Sequence, residues 1–377
     1  MGEEKNIIIV AGEASGDMHG ANLVKEMLKL KPALKFYGIG GVKLKETGVE
    51  ILGDASRMAV VGFSEVFSKF AFLLKTMDKM KKALDSYRPA LLILIDYPGF
   101  NLALAKAAKK KGIKVFYYIS PQVWAWRKGR INQIKKIVDR MAVVLPFEVD
   151  TYASKGFLVD YVGHPLVDMV KISVSKEEAR KNLGLSGNKT TIGLLPGSRL
   201  KEISSLLPEM MRAAEILQRN IKDIQFVLPK ADTLDEKVVA KIISGFDVKV
   251  KIVTGHTYEA VSCCDFAIVT SGTATLETGL LGVPMIIIYK VSLLSYLIGR
   301  LVVRVNNIGL VNIIAGKTIV PEFIQKDANG KRIAAETLAI LNSERYAEIK
   351  KELTAISAKL GSPGAAARAA KIACEMI

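Results

Sequence analysis

Ile7-Ile-Ile-Val-Ala-Gly-Glu-Ala-Ser-Gly-Asp-Met-His-Gly20 begins with an unbroken apolar run and gives way after Ala11 to small residues. Five successive apolar residues with no polar alternation read as a strand covered on both faces, and the small-residue loop then feeds a helix, so that Ile7–Met27 is strand, loop, helix. Thr191-Ile-Gly-Leu-Leu-Pro-Gly-Ser-Arg199 repeats the arrangement over Ile192–Leu217. Around these two openings, β-branched runs alternate with amphipathic stretches, the pattern of a parallel sheet with crossover helices. Strands are expected at 6–11, 34–38, 90–96, 113–118, 140–144 and 158–161, with a long helix over 64–86. A second series is expected at 191–195, 224–228, 248–253, 265–269 and 284–289.

The fold class that results is α/β: two Rossmann-like, doubly wound domains facing a cleft. Gly163-His164-Pro165 breaks the last strand of the first series, and the polar stretch Ser173 to Lys189 precedes the second, which sets a hinge in 163–188. The domains expected are 1–170, 171–345 and a set of C-terminal helices, 346–377, that pack back on the first domain or exchange between two chains as a homodimer.

At 377 residues the chain exceeds a single domain of ordinary size, and half of it is apolar, which excludes disorder. Its net charge of +17 and pI of about 9.6 call for an anionic partner. Nucleic acid is disfavoured: the lysines are scattered along helices such as 75–82 and 106–114, without a zinc-finger, RNP or helix-turn-helix pattern. Three cysteines, two of them the adjacent Cys263 and Cys264, give neither a disulfide framework nor metal-ligand spacing. The run Ile7–Ala11 is too short for a signal segment and follows Glu3 and Glu4, while Val291 to Val303 is broken by Arg300, so no membrane span is expected. A cytoplasmic location follows as the expectation.

Ligands of open α/β sheets bind beyond the carboxyl ends of the strands, so the loops after strands carry the functional reading. The loop after the first strand places Glu13, Ser15, Gly16, Asp17 and His19 together; it is not a dinucleotide fingerprint, and Ser15 or Asp17 can equally be a helix cap. Strand Leu91–Ile95 ends in Asp96, where apolar surroundings raise a carboxylate's basicity and suit a general base; a helix cap or turn former before Pro98 is the competing reading. Gly197, Ser198 and Arg199 lie at a helix start that offers backbone N–H groups and a guanidinium to a pyrophosphate, without the ending of a Walker loop. Ser271-Gly-Thr-Ala-Thr-Leu-Glu277 is a second such start: Ser271, Gly272, Thr273 and Thr275 face an anion, and Glu277 accepts ribose hydroxyls. Trp124 is placed to stack on a sugar face or to clamp its own loop. His164 and His256 are too isolated for a metal site, and with no Asp-x-Asp element neither metal nor other cofactor is expected.

Taken in order, Val10-Ala-Gly-Glu-Ala-Ser-Gly-Asp17 with His19-Gly-Ala21, Ile95-Asp96, Tyr118-Ile-Ser-Pro-Gln-Val-Trp-Ala-Trp-Arg127, Leu145-Pro-Phe-Glu148, Gly163-His164-Pro165, Leu195-Pro-Gly-Ser-Arg199, Ser271–Glu277 and Asn312 resemble the lipid-A-disaccharide synthase family. This is glycosyltransferase family 19, of GT-B-like fold, and the resemblance covers nearly the whole chain. It implies an inverting transfer from UDP-2,3-diacylglucosamine to 2,3-diacylglucosamine 1-phosphate, giving a β-1,6 disaccharide 1-phosphate and UDP. It also implies that Asp96 and Arg199 match the family's essential aspartate and arginine, with Glu13, Asp17 or His19 as assistants and Ser15, Gly16, Trp124 and Asn312 near acceptor or sugar. The family often carries a second aspartate where this chain has Gly99, which leaves Asp96 the sole carboxylate of that segment.

Segment 58–82 combines Met58, Val66, Phe67, Phe70, Phe72, Leu73 and Leu74 with Lys69, Lys75, Lys79, Lys81 and Lys82. Apolar residues edged by lysines describe a helix lying in an anionic lipid surface, here the inner face of the inner membrane; an ordinary core helix is the competing reading. A UDP-sugar 2-epimerase, or a GT-B transferase with a soluble acceptor, is the alternative enzyme, and a non-catalytic basic protein the alternative class.

Overall fold

The computed structural model describes residues 4–55, 58, 66–123, 128–172, 174–292 and 307–377. They form two compact units, Met1–Asp168 with Gly361–Ile377, and Met169–Leu360.

The first unit is a seven-stranded parallel sheet of β1 (Lys5–Ala11), β2 (Leu34–Gly40), β3 (Glu50–Asp54), β4 (Leu91–Ile95), β5 (Lys114–Tyr118), β6 (Arg140–Val143) and β7 (Asp160–Tyr161). The strands lie in the order β3-β2-β1-β4-β5-β6-β7, so the winding direction reverses between β1 and β4. Every residue of Ile7–Ala11 and Leu91–Ile95 is fully buried, as the unbroken apolar runs require of a sheet covered on both faces. One cover contains helices α1 (Ala14–Leu30) and, from the end of the chain, α2 (Ala365–Glu375), which packs along α1. Asp168 fixes the start of α2 by accepting the backbone N–H groups of Gly364 (2.7 Å) and Ala365 (3.1 Å). At its other end, the ammonium groups of Lys5, Lys31 and Lys114 donate to the carbonyls of Ile377, Cys374 and Met376. Of the C-terminal helices, this last one belongs to the first unit, whereas Gly330–Leu341 and Arg345–Lys359 belong to the second.

The opposite cover includes the helix Val66–Tyr87, whose Met80 and Leu84 are buried in a core shared with Ile8, Val10, Leu92 and Leu94. Of the residues that suggest a lipid-facing segment, Met58 is buried in this core and Phe72 and Leu73 pack against it. Leu74 is 55% exposed beside Lys75. Residues 59–65 and the side chains of 66–70 lie outside what is described. Among the described residues no helix is long and apolar enough to cross a membrane.

The second unit repeats the plan with six parallel strands: β8 (Thr190–Leu195), β9 (Ile224–Lys230), β10 (Val250–Thr254), β11 (Phe266–Thr270), β12 (Met285–Tyr289) and β13 (Glu322–Ile324), in the order β10-β9-β8-β11-β12-β13. The reversal lies between β8 and β11. Asp265, just before β11, accepts from Lys176 (2.7 Å), Arg180 (2.8 Å) and the Thr191 backbone N–H (2.7 Å), and these donors hold its carboxyl below the ordinary range despite burial. It ties the start of β8 to the start of β11.

Candidate active site

In each sheet, two of the loops singled out from the sequence leave the two strands that flank the reversal. That is where an open α/β sheet leaves a crevice at its carboxyl edge.

In the first unit these are the loops after β1 and β4. Asp96 and Tyr97 both adopt left-handed backbone, φ 45° and 43°, a conformation that disfavours side-chain-bearing residues and persists only where neighbours hold it. Here the holders are visible. The Asn101 side-chain amide donates to the carbonyls of Asp96 (2.7 Å) and Ile95 (3.1 Å), and the buried Tyr117 hydroxyl donates to the same Asp96 carbonyl. The turn presses the Tyr97 ring against Gly12, where a Cβ would stand 2.5 Å from the ring Cγ, so only glycine admits this packing. Burial lifts the Asp96 carboxyl to about 6, with a further push from the negative charge of nearby Glu13 and a partial offset from the Tyr97 backbone N–H.

Glu13 is the residue before α1, half-buried, and its side chain caps nothing. Ser15 is exposed and Gly16 packs on Ala11 and Ile95. Asp17 is buried, and its carboxylate is fully engaged: it accepts the N–H groups of Gly41 (2.6 Å), Lys43 (3.0 Å) and Leu44 (3.1 Å). It does act as a helix cap, but for the short helix Val42–Lys45 rather than for its own. His19 is held neutral by burial, its ring lowered to about 4, and its Nδ1 is buried without a partner. His164, which the sequence leaves isolated, is its electrostatic neighbour: burial and then His19 lower it to about 3, and its Nδ1 accepts the Leu166 N–H (3.2 Å). Trp124 lies outside the described residues.

In the second unit, the loops after β8 and β11 face each other across a cavity of about 300 Å³. Gly197, Ser198, Arg199, Ser271, Gly272, Thr273 and Glu277 all line it, with Glu202, Thr257 and Thr270 among their neighbours. Glu277 is pushed up by burial, and the Tyr258 hydroxyl, donating to it at 3.1 Å, opposes that. The helix Thr273–Leu280 starts at the cavity wall, and its first N–H groups have no acceptor within the helix. Thr275, by contrast, is buried and donates to the Gly272 carbonyl (2.8 Å), so it closes the turn and does not line the cavity.

Two expectations need correction in detail. The Ser198 and Arg199 N–H groups are not open to an anion: both donate to Glu202 Oε2 (3.3 Å each), and Arg199 Nη1 donates to Glu202 Oε1 (3.0 Å). Asn312 is buried away from the cavity lining. It donates to Val320 O (2.9 Å) and Glu322 Oε1 (2.7 Å) and accepts from Ile319 (2.8 Å) and Val320 (3.1 Å), which leaves its amide nothing to offer a ligand. The residues that sequence reasoning passed over are supports: Asn101, Tyr117, Glu202 and Tyr258. Only Glu202 carries a legible signal, its position at the third residue of a helix whose start was recognised.

The model of the lipid-A-disaccharide synthetase family matches residues 7–376. The chain is 56% identical over 375 residues to the lipid-A-disaccharide synthase of Syntrophus aciditrophicus, covering 99% of this chain and 98% of that one. It is 47% identical over 372 residues to the enzyme of Geobacter sulfurreducens, covering 98% and 97%. Among solved structures it resembles the UDP-GlcNAc 2-epimerase of Neisseria meningitidis bound to UDP-GlcNAc, with a TM-score of 0.67, 13% identity and 98% of each chain covered. It also resembles Acinetobacter baumannii MurG, with a TM-score of 0.60, 12% identity and coverage of 98% and 99%. These two show the GT-B type of fold and no more. Coverage end to end at such identity leaves one conclusion: the chain belongs to the lipid-A-disaccharide synthase family, and is a glycosyltransferase of lipid A disaccharide formation.

Proposed function

We propose that the enzyme transfers 2,3-diacylglucosamine from its UDP derivative to the 6-hydroxyl of 2,3-diacylglucosamine 1-phosphate, releasing UDP and inverting the anomeric centre. The observation that carries this reading is Asp96: a carboxylate at the reversal point of the first sheet, on a strained turn braced from behind, with a carboxyl at about 6. A base of that strength is ionised at neutral pH and still basic enough to take a hydroxyl proton as the hydroxyl attacks. The acceptor oxygen then displaces the diphosphate from C1 on the opposite face. The guanidinium of Arg199 and the first amides of the Thr273–Leu280 helix meet the charge on the departing UDP, and Glu277 takes the ribose hydroxyls.

Glu13 raises Asp96 and is assigned an electrostatic part, and neutral His19 a place in the acceptor site beside Ser15 and Gly16. Asp17, with three backbone donors already on it, positions the loop and does not move protons. The acyl chains of both substrates require approach from a lipid surface. Leu74 and the exposed lysines of the Val66–Tyr87 helix support peripheral attachment to anionic lipid on the inner membrane's cytoplasmic side. Asp96→Asn keeps the shape of the side chain and removes the base, so turnover should fall by about 10²-fold or more. Turnover within about tenfold of the unaltered enzyme would remove Asp96 from the role.

A further inference from the structure

The cavity of the second unit contains two helix starts, and one is already occupied by the protein itself. Glu202 sits in the first turn of the helix Leu200–Asn220 and turns its carboxylate back over the helix's own N-terminus. Oε2 accepts the N–H groups of Ser198 and Arg199 at 3.3 Å each, and Oε1 accepts Arg199 Nη1 at 3.0 Å. The group is firmly seated, its side chain only 16% exposed against 75% for Arg199. Gly197, at φ 101°, leaves the space: a Cβ there would stand 2.4 Å from Glu202 Oε2. Thr233 braces the same turn by donating to the Ser198 carbonyl (2.9 Å). Two backbone amides and a guanidinium converging on a pair of anionic oxygens is the donor set that a phosphate group would use.

We propose that Glu202 is an internal stand-in for one phosphate of the nucleoside diphosphate, and so sets how tightly the enzyme holds donor and product. This rests on the reading of the cavity as the UDP-sugar site. With the amides of Ser198 and Arg199 taken, an arriving diphosphate finds the start of the Thr273–Leu280 helix open. It must draw the Arg199 side chain away from Glu202, against the repulsion of a carboxylate in the same cavity. When UDP departs, Glu202 recovers Arg199, which favours release. Glu202 is thus a determinant of donor affinity through Arg199, distinct from a simple helix cap.

The two roles predict opposite signs. In Glu202→Gln the side chain still accepts the two backbone N–H groups, while the negative charge competing for Arg199 is gone. Binding of UDP, followed by calorimetry on the full chain, should tighten about two- to fivefold, the range for removing an ion-pair competitor from a mostly exposed arginine. The KM for the UDP-sugar should fall with it, and kcat should also fall where UDP release limits turnover. Equal or weaker UDP binding by Glu202→Gln, with the unaltered enzyme binding normally, overturns the proposal and leaves the donor site standing. Failure of the unaltered enzyme to bind UDP overturns both. Should Glu202→Gln not fold, Glu202→Ala is titrated in its place with the same expected sign.

Discussion

Asp96 shows how a single residue can be tuned at the expense of stability. Its carboxyl stands at about 6 against an ordinary 3.8, so between those values the folded chain holds a proton that the unfolded chain has released. Stability therefore falls as pH rises through this interval, and above about pH 6 the full penalty is present, up to about 3 kcal/mol. Asp96→Asn removes that penalty, and asparagine tolerates left-handed backbone better than most residues. Thermal unfolding should show the variant more stable than the unaltered enzyme at pH 7.5 and not at pH 4; equal stability at both would mean that the carboxylate is not desolvated as described. On the proposed base role, the same ionisation should make kcat/KM rise up to about pH 6 and level off above it, which a pH profile of the purified enzyme checks. The position of Asp96 was legible in the sequence as the acid that ends an apolar strand, a pattern that fits a base and a helix cap alike. Its bracing was not legible, since Asn101 and Tyr117 become its supports only when β5 pairs with β4 and the next helix turns back.

At the scale of elements, all eleven strands expected from the sequence lie within two residues of their ends in the structure; among the described residues, the two strands not expected are both edges. β3, Glu-Ile-Leu-Gly-Asp, and β13, Glu-Phe-Ile, each pair on one side only. An edge strand is partly exposed and lacks the continuous apolar run that betrays a central one. The long helix expected over 64–86 is described over Val66–Tyr87, and its apolar residues from Phe72 onward pack in or against the core, Leu74 excepted. The short helix Val42–Lys45 escaped for a related reason: with four residues it has no periodicity, and its stability comes from Asp17, a residue on a different element. Asp17→Ala would strand the N–H groups of Gly41, Lys43 and Leu44, a loss of about 2–4 kcal/mol. A drop of several degrees in Tm is expected, with the remaining folded enzyme active. Unchanged Tm with activity abolished would return Asp17 to the chemistry.

For the whole molecule, the order of motifs along the chain was enough to point to the family, because all of them but Asn312 follow a strand of one of two doubly wound sheets and their sequence leaves little freedom. What the order could not supply is which members of each motif meet a ligand and which hold the loop: Asn312 and Thr275 look like ligand groups and are structural, whereas Glu202 looks like a surface acid and lies in the cavity. The net charge of +17 fits an enzyme that works at an anionic lipid surface. Sedimentation with vesicles should therefore show binding that requires anionic lipid and weakens with salt; equal binding to neutral vesicles would contradict that assignment. The central claim is the transfer itself, and its most direct measurement is UDP release by the purified enzyme from UDP-2,3-diacylglucosamine in detergent, with and without 2,3-diacylglucosamine 1-phosphate, and with a chelator added. Release that depends on the acceptor and persists with the chelator is the predicted result. Release indifferent to acceptor, or none at all while UDP-N-acetylglucosamine is epimerised, would contradict it.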